Sequence, residues 1–202
     1  MAHVLVICTG NICRSPIAEG LLRSALHGRF GADAPSVDSA GTQGWEGSGA
    51  QPGSVAAAAE REIDISGHVA RLLTPQMIRE ADLVLAMAGE HRTFVEEVDP
   101  GALARTFTLK ELVRLLDALP PAASRSAAGS MADRVADANE LRRGGFAGNP
   151  HDQDVADPLG QPHELYRAIA WELDDWIGRL VDGLFGAAEP ETSRSSATQE
   201  TA

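Results

Sequence analysis

The amino-acid sequence predicts an α/β fold, with a small parallel sheet of about four strands, helices on both faces, and a phosphate-binding loop between the first strand and the first helix. Three observations lead there. Short apolar runs rich in β-branched residues alternate with stretches of helical periodicity. The runs are apolar throughout, as strands covered on both faces are. A Gly-Asn break separates the first run from the first helix.

The elements follow in order. His3-Val-Leu-Val-Ile7 reads as a buried central strand. The first helix follows at once, with Ser15 as expected N-cap, Pro16 at the first helical position, and Ile17, Leu21, Leu22 and Ala25 on one face. The strict capping box is missing, because position 18 is Ala and Glu19 falls one residue late. Ser36 to Ala40 is a second strand, leading into a loop from Gly41 to Gly53. Ser54 to Glu62 and Gln76 to Glu80 read as helices, Leu83 to Met87 and Arg105 to Thr108 as strands. Leu109 to Leu119 places Leu112, Leu115, Leu116 and Leu119 on one face, and Pro120-Pro121 ends it. His163 to Leu184 is a long amphipathic helix.

One domain is expected over residues 1–185, with an Ala-, Gly-, Ser- and Arg-rich insertion at 122–151 that holds a helix from Met131 to Arg143. Residues 186–202 form a polar tail expected to be disordered. Seventeen Lys and Arg against 29 Asp and Glu give a net charge of −12 over 202 residues. That balance excludes non-specific nucleic-acid binding and requires any phosphate site to be locally cationic. No apolar stretch is long enough for a signal peptide or a membrane span, so a cytoplasmic protein without membrane association is expected, as a monomer or weak homodimer. Cys8 and Cys13 are the only cysteines, without zinc spacing, so no metal or cofactor is expected and a reactive thiol is.

The chemistry concentrates in Cys8-Thr-Gly-Asn-Ile-Cys-Arg14-Ser15, between a strand and a helix start, where open α/β sheets bind ligands. The backbone N–H groups of Thr9, Gly10, Asn11, Ile12 and Cys13 can wrap a tetrahedral anion, with the helix N-terminus adding positive potential. Gly10 is expected to take a conformation that a Cβ forbids. Arg14 can hold two phosphate oxygens bidentately. Such a loop suits a thiolate, so Cys8 is the candidate nucleophile, and Ser15 can donate to its sulfur when it leaves. The bland alternative is a small buried Cys beside a surface Arg.

At this point a resemblance carries weight. Val4-Leu-Val-Ile-Cys-Thr-Gly-Asn-Ile-Cys-Arg-Ser-Pro-Ile-Ala-Glu19 resembles the signature of the low-molecular-weight protein tyrosine phosphatases. Asp38-Ser-Ala-Gly-Thr42, Ile65-Ser-Gly-His-Val-Ala-Arg71 and Asp154-Val-Ala-Asp-Pro158 continue it. The resemblance implies hydrolysis of a phosphotyrosine-containing protein or small aryl phosphate through a phosphocysteine, with Asp157 as general acid and base. Asp152 and Asp154 lie close in sequence and are expected to crowd Asp157 with like charge. The resemblance also implies that Asn11, Ser39 and His68 support the loop, and that Trp45 forms one wall of the substrate slot. Where the family usually places aromatic residues after Asp-Pro, this chain has Leu159 and Gly160, leaving the slot half enclosed; its Pro52-Gly53 replaces the usual Pro-Asp. Ile12 accompanies the tyrosine branch, whereas the phosphoarginine branch tends to Thr there. Cys13 has two readings, a packing residue or a reversible disulfide partner that shields Cys8.

Two rival functions share parts of this pattern. A thiol-linked arsenate reductase uses the same anion loop but relays oxidation through further cysteines, and none follows Cys13. A non-catalytic phosphoprotein-binding or phosphocarrier domain needs neither the Arg clamp nor the acid.

Overall fold

A computed structural model describes residues 2–121, 127–146 and 152–187. Its centre is a four-stranded parallel sheet in the order β2-β1-β3-β4, formed by β1 (His3–Cys8), β2 (Ser36–Gly41), β3 (Leu83–Ala86) and β4 (Thr106–Thr108). In β1, Val4 pairs with Val37 on one side and Leu83 on the other, and Ile7 with Ala40 and Ala86. β3 and β4 pair through Leu85 and Phe107.

Alternation along the strands sends successive side chains to opposite faces. Val4, Val6 and Cys8 join one apolar core, covered by α1 (Arg14–Phe30), α2 (Pro52–Ala59), α5 (Leu109–Asp117), α6 (Ala127–Arg143) and α7 (His163–Phe185). Leu5 and Ile7 join a smaller one with Ile78 of α3 (Pro75–Glu80), Val95 of α4 (Gly89–Val98) and Ala102. Helices therefore lie on both faces. α5 starts on the last residue of β4, where Thr108 and Glu111 make a reciprocal capping box.

The helix inside the insertion begins at Ala127, four residues before the expected start, and ends at Arg143. Its Met131, Val135 and Ala138 are buried in the larger core, so this segment packs on the sheet-bearing body. Arg134 fastens it by donating to the carbonyls of Pro120 at 2.9 Å and Gly183 at 3.0 Å. The tail expected to be disordered lies outside the described residues beyond position 187. Among the described residues, no helix is long and apolar enough to cross a membrane.

Two details differ from expectation. α1 begins at Arg14, flanked by Cys13 without a side-chain cap, so Ser15 lies inside the first turn rather than capping it. Its hydroxyl is instead committed to Cys8 and Asn11. Residues 100–105 form a 3₁₀ turn between α4 and β4, so Arg105, expected to open the fourth strand, lies in the turn instead.

Candidate active site

β1 changes sheet neighbours between β2 and β3, and the crevice beyond the carboxyl ends of strands at such a switch is where α/β sheets hold ligands. The 8–14 loop occupies that crevice. Five successive carbonyls of it accept a bond from outside: Cys8 from Thr42 N (2.9 Å), Thr9 from Gln43 N (3.0 Å), Gly10 from Trp45 N (3.2 Å), Asn11 from His68 Nε2 (2.7 Å) and Ile12 from Gln51 N (2.8 Å). The C=O and N–H of a trans peptide point in opposite directions. Tethering the carbonyls outward therefore turns the intervening amides inward, and Asn11 N does donate to Cys8 Sγ at 3.3 Å. The loop is a preorganised anion cradle with the sulfur at its floor.

Asn11 is its keystone. It adopts the left-handed φ of 56°, whereas Gly10, expected to take a conformation that a Cβ forbids, has no positive φ. Asn tolerates this region because its short amide can bond locally. The fully buried side chain donates to Ser15 Oγ at 2.9 Å and Ser39 Oγ at 2.8 Å, and accepts from Arg71 N at 2.9 Å. Ser15 Oγ stands 2.9 Å from Cys8 Sγ, which places a hydroxyl against the candidate nucleophile. Ser39 donates onward to Glu19, and Arg71 clasps the Ser39 carbonyl through Nη2 at 2.9 Å.

Gly41 closes the underside: a Cβ there would stand 2.6 Å from Thr9 O and 2.9 Å from Asn11 N. Both are backbone atoms that cannot yield without moving the loop. At Pro52-Gly53, a Cβ on Gly53 would meet the Tyr166 ring at 2.9 Å.

Arg14 is 4% exposed. Nη1 donates to Val155 O at 3.1 Å, while Nη2 reaches Thr9 Oγ1 at 3.2 Å and Asp157 Oδ2 at 2.8 Å. The clamp and the candidate acid are thus in direct contact across 143 residues of sequence. The segment bearing Asp157 is pinned by Val155 N on Met87 O and by Leu159 N on Asp157 Oδ1. The neighbouring carboxylates expected to crowd Asp157 are both engaged by other partners. Asp154 Oδ1 accepts from Gly89 N at 2.7 Å, and Asp152 Oδ1 from Lys110 at 3.0 Å, with Arg114 also engaged.

The cradle opens into a cavity of about 170 Å³ lined by Cys8, Ile12, Arg14, Trp45, Asp157 and Leu159 among others. Trp45, 50% exposed, and Leu159, 41% exposed, stand at its rim, so one aromatic wall faces one aliphatic side chain. Cys13 lies behind the loop as a free, buried thiol, as Cys8 is. Burial is the main cause that pushes the Cys13 thiol up to about 11. Among the described residues, no group of three or more His, Cys, Asp or Glu side chains is placed to hold a metal ion.

Four participants had no role assigned from sequence: Glu19, Gly41, Arg71 and His91. The first three sit inside the stretches that carried the family resemblance. His91 follows the carboxyl end of β3, and that position at the switch point was the available signal.

Comparison with known proteins agrees with this geometry. Residues 3–119 match the family model described as low molecular weight phosphotyrosine protein phosphatase. The probable low molecular weight protein-tyrosine-phosphatase EpsP of Ralstonia solanacearum is 41% identical over 109 residues, covering 54% of this chain and 71% of the relative. A protein-arginine-phosphatase of Geobacillus stearothermophilus is 32% identical over 182 residues, covering 90% of this chain and 95% of the relative. The crystal structure of the low molecular weight protein tyrosine phosphatase from T. tengcongensis superposes with a TM-score of 0.67 at 32% identity, covering 90% of this chain and 99% of that one. With the anion cradle, the family match and the full-length superposition in agreement, the chain belongs to the low molecular weight protein tyrosine phosphatase family.

Proposed function

We propose that this chain hydrolyses phosphotyrosine in proteins, or small aryl phosphates, by a cysteine-dependent and metal-independent mechanism. The observation that carries the reading is the cradle of inward amides around Cys8 Sγ, with Arg14 Nη2 only 2.8 Å from the Asp157 carboxylate. The phosphoryl group binds in the cradle, its oxygens held by loop amides and by Arg14. Cys8 Sγ attacks phosphorus in line and the P–O bond to the phenol breaks, forming phosphocysteine. Asp157 gives its proton to the departing phenolate. In the second step Asp157 takes a proton from water as that water attacks phosphorus; the S–P bond breaks, and Ser15 donates to the departing sulfur. Trp45 and Leu159 flank the ring, and Asn11, Ser39 and His68 hold the loop.

Residues 1–185 act as one catalytic domain on this reading, a view supported by the burial of α6 in the shared core. We place the protein in the cytoplasm, as a monomer or weak homodimer. A second substrate, phosphoarginine in proteins, is favoured by one observation: the relative named as a protein-arginine-phosphatase aligns over 90% of this chain.

The test is turnover of 4-nitrophenyl phosphate, a phosphotyrosine peptide and a phosphoarginine peptide by wild type, Cys8→Ser and Asp157→Ala, with and without chelator. Cys8→Ser is expected to abolish turnover and Asp157→Ala to lower kcat by about 10²–10⁴-fold on the aryl ester. Chelator should change nothing. Unchanged rates in Cys8→Ser would overturn the mechanism, and a higher kcat/KM for the phosphoarginine peptide would move the substrate assignment.

A further inference from the structure

His91 belongs to no part of the mechanism above, yet the fold delivers it to the reacting loop. It sits in the first turn of α4, directly beyond β3, and is 1% exposed. Its Nε2 stands 2.9 Å from Thr9 Oγ1 across 82 residues of sequence, and the same oxygen accepts from Arg14 Nη2 at 3.2 Å. The other ring nitrogen, Nδ1, is buried without a hydrogen-bond partner. Burial first, and the Arg14 guanidinium second, push the imidazole down to about 4, against the weaker opposite pull of Asp154 and Asp157. One more carboxylate is close: exposed Glu90 Oε1 lies 3.3 Å from Nε2 and 3.4 Å from Thr9 Oγ1.

These facts select a tautomer. A buried N–H without an acceptor costs more than an unused acceptor lone pair. The ring proton therefore belongs on Nε2, and Nε2–H donates to Thr9 Oγ1. Arg14 and His91 then occupy the two lone pairs of that hydroxyl, so its own hydrogen is free to turn outward, to Glu90 or to an anion in the cradle.

We propose that His91 is a positioning residue that acts through Thr9: it fixes the Thr9 hydroxyl as a donor and braces Arg14 Nη2 over the anion cradle. This rests on the phosphatase reading of the same site. Arg14 needs such a brace because its guanidinium is otherwise oriented by one backbone carbonyl and by Asp157, a side chain 45% exposed on the acid segment. A bond from the rigid start of α4 supplies a fixed point that does not depend on that segment.

The experiment compares wild type, His91→Leu, His91→Gln, Thr9→Val and the Thr9→Val/His91→Leu double variant. It measures hydrolysis of 4-nitrophenyl phosphate, inhibition by inorganic phosphate, and thermal midpoints. His91→Leu should weaken phosphate inhibition and kcat/KM by about tenfold, the upper end for one neutral hydrogen bond. His91→Gln, whose amide can reach the Nε2 position, should recover most of that. In the Thr9→Val background, adding His91→Leu should change kcat/KM by less than about twofold, because the shared path is already cut. A full additional tenfold loss there, equal losses in His91→Gln and His91→Leu, or no loss in His91→Leu, would each overturn the proposal. Wild type without phosphatase activity would instead sink the functional reading beneath it. One readout needs no folded His91 variant: the ring ¹⁵N shifts of His91 in the wild type should report the Nε2–H tautomer and move in Thr9→Val. An Nδ1–H tautomer would contradict the proposal.

Discussion

Asn11 offers the most demanding test of the loop architecture. Asn11→Gly preserves the left-handed backbone at φ 56° and deletes only the side-chain bonds to Ser15, Ser39 and Arg71 N. Ser15 and Ser39 keep second partners in Cys8 and Glu19, so losing those two bonds costs about 1 kcal/mol each. The Arg71 N–H keeps none of its bond to Asn11, and an unpaired, partly buried donor adds roughly 1–2 kcal/mol. The sum is about 3–4 kcal/mol of folding stability. Asn11→Ala loses the same bonds and also puts a Cβ where L-residues pay about 1–2 kcal/mol. It should therefore be no more stable than Asn11→Gly, although Ala ordinarily gains over Gly through the unfolded chain. Urea unfolding measures both, and 4-nitrophenyl phosphate hydrolysis should fall at least about tenfold as the cradle loosens. An Asn11→Gly protein within about 1 kcal/mol of wild type and fully active would refute the network account.

Three further outcomes follow from other contacts. Gly41→Ala should lower kcat/KM by about tenfold or more and reduce the thermal midpoint, since its Cβ would stand 2.6 Å from Thr9 O. Normal activity in that variant would show that the loop can yield there. Trp45→Ala should raise KM for an aryl phosphate by roughly 3–10-fold with little change for inorganic phosphate inhibition, because only ring stacking is lost. Equal effects on both ligands would place Trp45 in the loop's support instead. Acid should destabilise the fold through His91, whose folded value of about 4 lies below the 6.5 of an exposed imidazole. Between those values the unfolded chain binds the proton and the native one does not, so this contribution is complete above about pH 6.5 and lost progressively as pH falls to about 4. The loss amounts to roughly 3 kcal/mol, and His91→Leu should flatten that part of the stability–pH curve. An unchanged slope would contradict the burial argument.

The candidate loop was legible because its central side chains are contiguous: Cys8, Asn11, Arg14 and Ser15 lie within one strand–turn–helix. The sheet was legible for a related reason, since strands covered on both faces carry unbroken apolar runs such as Leu83 to Ala86. Asp157 was reachable only through resemblance, as an Asp-Pro pair alone signals no more than a turn. Ser15 misled because Ser before Pro is a strong helix-start pattern, and only the tertiary approach of Cys8 and Asn11 recruits its hydroxyl elsewhere. The left-handed turn falls on Asn11, whose side chain donates to Ser15 and Ser39 and accepts from Arg71 N, while Gly10 takes no positive φ. Asp152 and Asp154 are near Asp157 in sequence but are drawn off by Lys110 and Gly89, contacts that only folding creates. His91 stayed hidden for the same reason.

In the proposed mechanism Cys8 carries the phosphoryl group between two half-reactions. Rapid-quench mass spectrometry of Asp157→Ala during turnover of 4-nitrophenyl phosphate tests it most directly, because loss of the base slows breakdown of the intermediate. A phosphoryl adduct is expected on the peptide containing Cys8, formed within the burst of nitrophenol release and absent from every other nucleophile. Turnover with no adduct at Cys8, or an adduct on another side chain, would contradict it.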